Sequence, residues 1–584
     1  MPELLASEPI DFLLKCFNAL KPAVAEHPDK ILDELKDHRR AALEKKDTTS
    51  SSAAQNFDES YSNQQSTQSA YAEAALSFGL SGSYGPYSGS CQASMQNERE
   101  SASEEINGTL TAVASRGTLA FKSDKYTDIR AHLAPELLED LDKIDSFVAA
   151  EKFTNDYGTH LVTGVKLGGT LTLVVKVTSR SLSEKLKLAT EVEAAYKGIG
   201  SMEATAKASK KVSEMSSAKS LSQRLQVMGG TLDSAASINM EDSTTIKAWV
   251  NTCGEESVSG LSSAVELYTL AEGKEARKIL KHYLDLCLLK HSIENPVVFS
   301  AMAPINEFEY NSLSTTADKD YKIISGGAWL DKNSSDFLTA SYPDFHNGVI
   351  NAWQATSHDC KIKTASGSEL VGYAIGVHDP AELLSVYCDS ADGANPIVGA
   401  DTAVQTLSSG YVLTGGGCQT STNRNEPRYL TGSYPKCLEG KTYNSWVADG
   451  HDYGYESSAT LKAWAIGIRL QDTTTNATIS HRVIKQEGGL QSHGTSIAVL
   501  GGQASIAGGG VQLSENKENL IHASFPAMQS NQMGWQEFNG DLDNVVDQVV
   551  ATAYAITLQL TSTDPDVTFR PYGRKAAAER SAAH

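Results

Sequence analysis

The sequence predicts two unlike halves: an α+β first half and an all-β, pseudo-threefold second half. Three observations carry this. Residues 1–290 mix helical and strand periodicities, whereas residues from about 306 onward are strand-like and rich in Gly, Thr, Ser and Tyr. The second half repeats itself three times. In the first half, two stretches alternate apolar and polar residues at a period of two on both arms of a hairpin. At 584 residues the chain exceeds what one hydrophobic core holds, so two or more domains are expected. The expected division is a first domain over 1–290, a linker over 291–305, a repeat domain over 306–570 and an unpatterned tail over 571–584.

The repeat is read from four marks. A glycine pair or triplet opens each unit: Gly326-Gly327, Gly415-Gly416-Gly417 and Gly508-Gly509-Gly510. Ser, an aromatic and Pro follow, ending at Pro343, Pro435 and Pro526, and then a tryptophan, Trp353, Trp446 and Trp535. Each unit closes on an alternating strand: GYAIGV from Gly372, AWAIGI from Ala463 and AYAITL from Ala553. The prolines set periods of 92 and 91 residues. Three sheet-sized units, none able to bury its own face, should pack about a threefold axis. A β-prism is the natural solution and a trefoil-like barrel the alternative. The repeated Pro and Trp read as turn geometry and core packing, which leaves binding specificity to the loops that differ.

The paired segments of the first half come next. From Ala72 to Tyr84 the even positions include Leu76, Phe78, Leu80 and Tyr84, and small or polar residues stand between them. Gly85-Pro86 turns the chain, and Tyr87, Cys91 and Met95 alternate with Ser and Gln on the way back. The second segment runs Leu186, Leu188, Val192, Ala194 and Tyr196, turns at Gly198–Ser201, and returns through Met202, Ala204, Ala206 and Val212. Each arm matches the roughly 9–11 residues that a tilted strand needs to cross a bilayer, with one face for lipid and one for a water-filled lumen. The second segment is also rich in Ala, Glu, Lys and Leu, which favour helix. It therefore reads both ways. Its apolar phase is opposite to that of the preceding strand Leu171, Leu173, Val175, Val177.

Composition removes other classes. The net charge of -21 argues against nucleic acid as a partner and against simple attraction to anionic lipid. No apolar run of about 18 residues spells a transmembrane helix. The first thirty residues lack a basic n-region and apolar h-region, so the chain is expected either to stay inside the cell that makes it or to leave by lysis or an unconventional route. Eight scattered cysteines form no metal-binding spacing, and one or two bridges among Cys360, Cys388, Cys418 and Cys437 stay open. No G-x-S-x-G, H-E-x-x-H or phosphate-loop pattern occurs, so neither an enzyme nor a cofactor or metal is expected.

The run YGTHLVTGVKLGG places Tyr157, Gly158, Thr159 and His160 seven residues before Gly168-Gly169. A helical pattern precedes it and a strand, GTLTLVVKVTS, follows. In this it resembles the signature of the membrane attack complex/perforin (MACPF) superfamily, with Leu161 standing where that family often has an aromatic. By its residues alone His160 reads as a joint between helix and strand rather than as a base acting with Asp156 or Thr159. The resemblance covers roughly residues 50–290. It implies a bent antiparallel sheet flanked by two helical clusters, about residues 70–113 and 179–226 here, with the Gly229-Gly230 pair a plausible hinge. It also implies a route: a soluble monomer docks on a membrane, joins a ring-shaped homo-oligomer and unfurls both clusters into a large β-barrel pore. Backbone chemistry requires the ring, because only a closed barrel leaves no edge N–H or C=O bare in lipid. The combination with a threefold β domain resembles bacterial perforin-like proteins, including some insecticidal toxins. The expected partners are target-membrane lipid and a glycan or protein receptor. Two alternatives stand beside the pore former: a non-lytic MACPF adhesion protein, and a lectin, although no Q-x-D-x-N-x-V-x-Y sugar motif is present.

Overall fold

The computed structural model describes residues 8–19, 35–40, 42–64, 106–177, 182–196, 201–218, 221–305, 310–330, 336–359, 369–393, 400–420, 428–438, 442–452, 459–471, 477–501, 504–514, 519–529, 532–541 and 548–570. These fall into two units, one of residues up to Leu288 together with Pro565 onward, the other of Leu289–Asp564.

The first unit is built on one antiparallel sheet. Its strands are β1 (Lys15–Phe17), β2 (Lys36–Asp37), β3 (Thr48–Gln64), β4 (Ile106–Phe121), β5 (His160–Val177), β6 (Leu221–Gly229) and β7 (Val258–Glu266). The order is β2-β1-β5-β4-β3, and β6 and β7 also pair with β5. The Ser/Gln/Asn-rich stretch after Asp47 is thus a long strand, laddered with β4 from Thr48–Phe121 to Gln64–Asn107. The helices are α1 (Tyr126–Arg130), α2 (Pro135–Asp142), α3 (Phe147–Tyr157), α4 (Leu182–Tyr196), α5 (Met202–Ala218), α6 (Leu232–Ala236), α7 (Ser243–Thr252) and α8 (Lys274–Glu294). Two of them start on side-chain caps: Ser146 accepts from the Ala149 N–H at α3, and Asp242 from the Thr244 N–H at α7.

Each repeat of the second unit contains six strands. The first holds β8 (Val297–Pro304), β9 (Tyr310–Thr315), β10 (Tyr321–Leu330), β11 (Asp336–His346), β12 (Val349–Asp359) and β13 (Glu369–His378). The second holds β14 (Leu384–Asp392), β15 (Ala400–Thr406), β16 (Val412–Thr420), β17 (Arg428–Leu438), β18 (Thr442–Asp452) and β19 (Leu461–Leu470). The third holds β20 (Ala477–Gln491), β21 (Thr495–Val499), β22 (Gly508–Leu513), β23 (Asn519–Gln529), β24 (Gln532–Asp541) and β25 (Val549–Ser562). A unit therefore begins two strands before its glycines, not at them. Residues 291–305, read as a linker, are helix as far as Glu294 and strand from Val297 to Pro304.

Three six-stranded sheets result: β21-β24-β23-β10-β13-β8, β14-β19-β16-β11-β12-β9 and β15-β18-β17-β22-β25-β20. Every repeat gives three strands to one sheet and three to the next. This is a prism, not a trefoil barrel. Its core draws on all three sheets, with Leu338, Leu430 and Ile521 at one level and Leu370, Leu461 and Val549 among the rest.

The repeat marks now have physical causes. The indole N–H of Trp353 donates to Ser341 Oγ at 2.9 Å, that of Trp446 to Ser433 at 3.0 Å and that of Trp535 to Ser524 at 2.9 Å. All three indoles are buried. A Cβ on Gly326, Gly416 or Gly509 would collide with the Trp ring of its own repeat. One on Gly327, Gly417 or Gly510 would collide with the carbonyl of Ser524, Ser341 or Ser433 in the neighbouring repeat. The glycines are thus seats for the indole and for the next repeat's backbone. Aromatic stacks join the repeats in a cycle: Tyr342 on Trp464, Tyr434 on Tyr554 and Phe525 on Tyr373, at centroid distances of 6.4, 5.8 and 5.8 Å. Pro343, Pro435 and Pro526 each lie opposite their tryptophan, beyond the two-residue stretch where that strand meets the next repeat, so no ladder bond is lost there.

One position breaks the symmetry. Two residues after the tryptophan stand Ala355, Ala448 and Glu537, all fully buried. Burial pushes the Glu537 carboxyl up to about 8, although Ser496, directly across the strand pair, pulls the other way. The folded chain then holds a proton that the unfolded chain releases near pH 4.5, so stability is greatest below that pH and falls as pH rises towards 8. The slope reaches about 1.4 kcal/mol per pH unit at most. Glu537→Gln is expected to flatten this slope in thermal unfolding between pH 5 and pH 8. An unchanged slope would refute it.

Among the described residues, Cys16, Cys253, Cys287, Cys388, Cys418 and Cys437 are free thiols. No bridge therefore forms among Cys388, Cys418 and Cys437; Cys360 lies outside the described residues.

Candidate functional site

The glycine-histidine motif is a joint in the first unit. α3 ends at Tyr157, and the Gly158 N–H caps it on the Thr154 carbonyl at 2.9 Å. Gly158 has φ +94°, and a Cβ there would collide with the Phe17 carbonyl, so only glycine fits. Thr159 stitches three segments. Its N–H donates to the Phe17 carbonyl, its hydroxyl accepts from the Ala19 N–H, and its carbonyl accepts from the Leu267 N–H at 2.8 Å. His160 is wholly buried, stacked on Phe17 at 5.4 Å with Nδ1 2.7 Å from Thr159 Oγ1. Burial lowers its pKa to about 3, which keeps the ring neutral. Asp156 supports no base role, since it sits beside Lys152 on α3. The Tyr157 hydroxyl donates to Asp140 of α2 at 2.8 Å.

The glycine pair is a fork. From His160 to Leu167, β5 pairs with β7; from Gly169 to Val177 it pairs with β6. Gly168 stands at the change with φ +116°, and a Cβ there would run into the Ala114 carbonyl. The β4–β5 register also shifts at this level, between Ser115 and Gly117. A Cβ on Gly169 would meet Cys253 Sγ and the Trp249 ring of α7. Gly229 and Gly230 face this fork, at φ +82° and +73°, and the Trp249 indole donates to the Gly229 carbonyl at 3.0 Å. Trp249 thus closes the break from one side, wholly buried. Sequence reasoning passed over Trp249 and Cys253. The usable signal was that Trp249 is the only tryptophan before residue 290.

Above the fork lies the second of the paired segments. α4 and α5 follow β5 and precede β6, and they cover an apolar sheet face of Leu110, Ala112, Ala114, Leu171, Leu173 and Val175. From α4 come Leu188, Val192 and Tyr196; from α5, Ala208 and Val212. The Tyr196 hydroxyl donates to Ser209 Oγ at 3.2 Å and ties the two helices. Leu188, Val192 and Tyr196 are four apart, as are Ala204, Ala208 and Val212. A spacing of four holds one face in a helix, at about 3.6 residues per turn, and also one face in a strand, where the period is two. That is how the segment carries both readings. Other members of the strand pattern scatter in the helix: Ala194 is exposed, Met202 is half-buried and Ala206 is buried, while Ala204 at the end of the shared face is half-buried. The side chain of Leu186 lies outside the described residues, as do Leu76, Phe78, Leu80, Tyr84, Tyr87 and Met95 of the first segment. No helix among the described residues is long and apolar enough to cross a membrane, which says nothing of strands.

No curated protein matches the chain. Among solved structures it is similar to GNIP1Aa from Chromobacterium piscinae, at 12% identity and TM-score 0.33, over 69% of this chain and 77% of that one. It is also similar to a MAC/Perforin-domain protein from Bacteroides thetaiotaomicron, at 13% identity and TM-score 0.34, over 60% and 67%. Residues 39–296 match the family model described as the MAC/Perforin domain. That span takes in the joint, the fork and the helices above them, and what the chain builds there is a MAC/Perforin domain.

Proposed function

We propose that the protein forms pores in a target-cell membrane. The dissolved monomer docks through its prism unit on lipid and a receptor. Copies then join in a ring, and two segments per chain, about residues 70–113 and 179–226, become hairpins of a transmembrane β-barrel. The observation that carries this is the double patterning of α4 and α5. They are helices of 15 and 17 residues that lie between β5 and β6 in the chain, and their apolar residues also mark one face of a strand. Each is longer than the roughly 9–11 residues that a tilted strand needs to cross a bilayer. The Gly229-Gly230 pair is the proposed hinge, with Trp249 as the plug that must shift when β6 straightens.

The test is a lock on α4. Val192→Cys and Ala112→Cys lie in one apolar cluster, and Cys253→Ala removes the native thiol from it. Wild type should release dye from vesicles of target-derived lipid. The oxidised lock should release at least tenfold less, and reduction should restore it. No release by wild type from any membrane, including receptor-bearing ones, favours a non-lytic adhesion role. Release unaffected by the lock means that another segment forms the wall.

A further inference from the structure

At each corner of the prism two sheets end side by side. The first strand of a repeat ends one sheet and its second strand ends the next, as β8 and β9, β14 and β15, and β20 and β21 do. In the second repeat side chains bridge the corner, where Gln405 Nε2 on β15 donates to the Asp389 carboxylate on β14 at 3.2 Å. Asp389 lies opposite Ala465 and Gln405 opposite Trp446. In the third repeat the matching positions, opposite Ala555 and Trp535, hold Ile484 and Ala498, and neither side chain can make that bond. The corner there holds a groove of about 360 Å³. β20 bulges beside it. The register passes from Glu487–Thr552 to Leu490–Val550, so Gly488 and Gly489 stand opposite Ala551 alone.

The lining divides by chemistry. Ile484, Ile497 and Val499 form its apolar part, each half-buried, while Gln486, Thr495 and Gln529 are exposed and polar. The Thr495 hydroxyl donates to the Glu537 carbonyl at 3.0 Å, and Gln486 Nε2 donates to the Glu487 carbonyl at 3.0 Å. The Glu487 carboxylate is bridged to Lys485 at 2.7 Å, so the charges there cancel. Ser496 also lines the groove, and a Cβ on Gly488 would come within 3.2 Å of the Ser496 Cβ. In the other repeats the position of Ser496 holds Leu313 and Ala403, paired with Ala355 and Ala448; here Ser496 is paired with Glu537. Ser496 Oγ and both Glu537 carboxyl oxygens are buried, and none makes a hydrogen bond of ordinary geometry among the described residues. A polar pair of this kind is costly in a core. It stands behind the groove and at neither of the matching positions.

We propose that this groove binds the neutral saccharide end of a surface glycan. Sugar hydroxyls both donate and accept, as do the amides of Gln486 and Gln529 and the hydroxyls of Thr495 and Ser496. Ile484, Ile497 and Val499 face the C–H surface of the sugar ring. The volume lies near the lower end of the roughly 300–1,000 Å³ of small-ligand sites and suits a mono- or disaccharide. With Lys485 held by Glu487, the lining brings no unpaired cation to a sulfate or a sialic acid. The part of this that makes the groove the docking site rests on the pore-forming reading; saccharide binding itself does not.

The test uses the full-length protein on a printed array of neutral, sialylated and sulfated oligosaccharides. Wild type is expected to bind neutral glycans. Gln486→Ala with Gln529→Ala should raise the Kd for the best of them about tenfold or more, with the thermal midpoint unchanged. Val499→Trp, which fills the groove, should do the same by a different route. No binding, or binding to charged glycans alone, overturns the proposal. So does neutral-glycan binding that both variants retain. Wild type that binds neutral glycans but lyses no vesicle keeps the groove and sinks the pore reading. Wild type that lyses vesicles of plain lipid but binds no glycan does the reverse.

Discussion

Arg428→Met unfolds the prism unit well before the MACPF unit. Arg428 is fully buried, with Nη1 3.0 Å from Asp401 and Nε 2.8 Å from Asp452. Both carboxylates are themselves buried, so removing the guanidinium leaves two negative charges without their partner in a low-dielectric core. Breaking a buried pair in this way costs about 3–5 kcal/mol. The equivalent positions show that the fold does not need the charge. Asp336 stands in the first repeat, held by Asn311 and Ser357 at 3.0 Å each, and Asn519 stands in the third. The triple change Arg428→Met, Asp401→Asn, Asp452→Asn is therefore expected to recover most of the loss. Denaturant unfolding of the full chain decides it. A midpoint for Arg428→Met within about 1 kcal/mol of wild type would mean that water or rearrangement rescues the carboxylates.

Gly168→Ala is expected to keep the MACPF unit from accumulating in soluble form. Two costs add: the positive φ, worth about 1–3 kcal/mol for a residue with a side chain, and a Cβ driven into the Ala114 carbonyl. Gly348 separates them. It has φ +82° with nothing within 4 Å of an added Cβ, so Gly348→Ala carries the backbone cost alone. Soluble yield and thermal midpoint of the two variants should differ widely. If they match, the clash at the fork relaxes freely, and the motif glycine is explained by φ alone.

What could be read in the sequence follows from how each feature is encoded. The prism was legible because its marks occur three times, so chance resemblance was filtered out by repetition. The reason for its glycines was not, since a seat for a tryptophan about thirty residues downstream leaves no local trace. The joint at Gly158–His160 was legible as a motif, and His160 as structural, because it falls where a helical pattern gives way to a strand. The fork was only half legible. Gly168-Gly169 stood out, but the ring that fills the space opposite, Trp249, belongs to a helix with no pattern tying it to them. The spacing of four in α4 and α5 left that segment ambiguous between helix and strand, because it holds one face in either. The symmetry break at Glu537 was open to inspection, since aligning the repeats on their tryptophans sets a glutamate against two alanines.

The exchange of strands between repeats has a consequence for copy number. No single repeat can complete a sheet, since each sheet takes half its strands from one repeat and half from its neighbour. A single repeat on its own would therefore leave both of its half-sheets with an open edge. Three copies close the circle, because each lends three strands to the next and the last lends to the first. Positions outside that exchange differ among the repeats, as Glu537 does from Ala355 and Ala448 and Arg428 from Asp336 and Asn519, whereas the glycines, serines and tryptophans that seat one another are alike in all three.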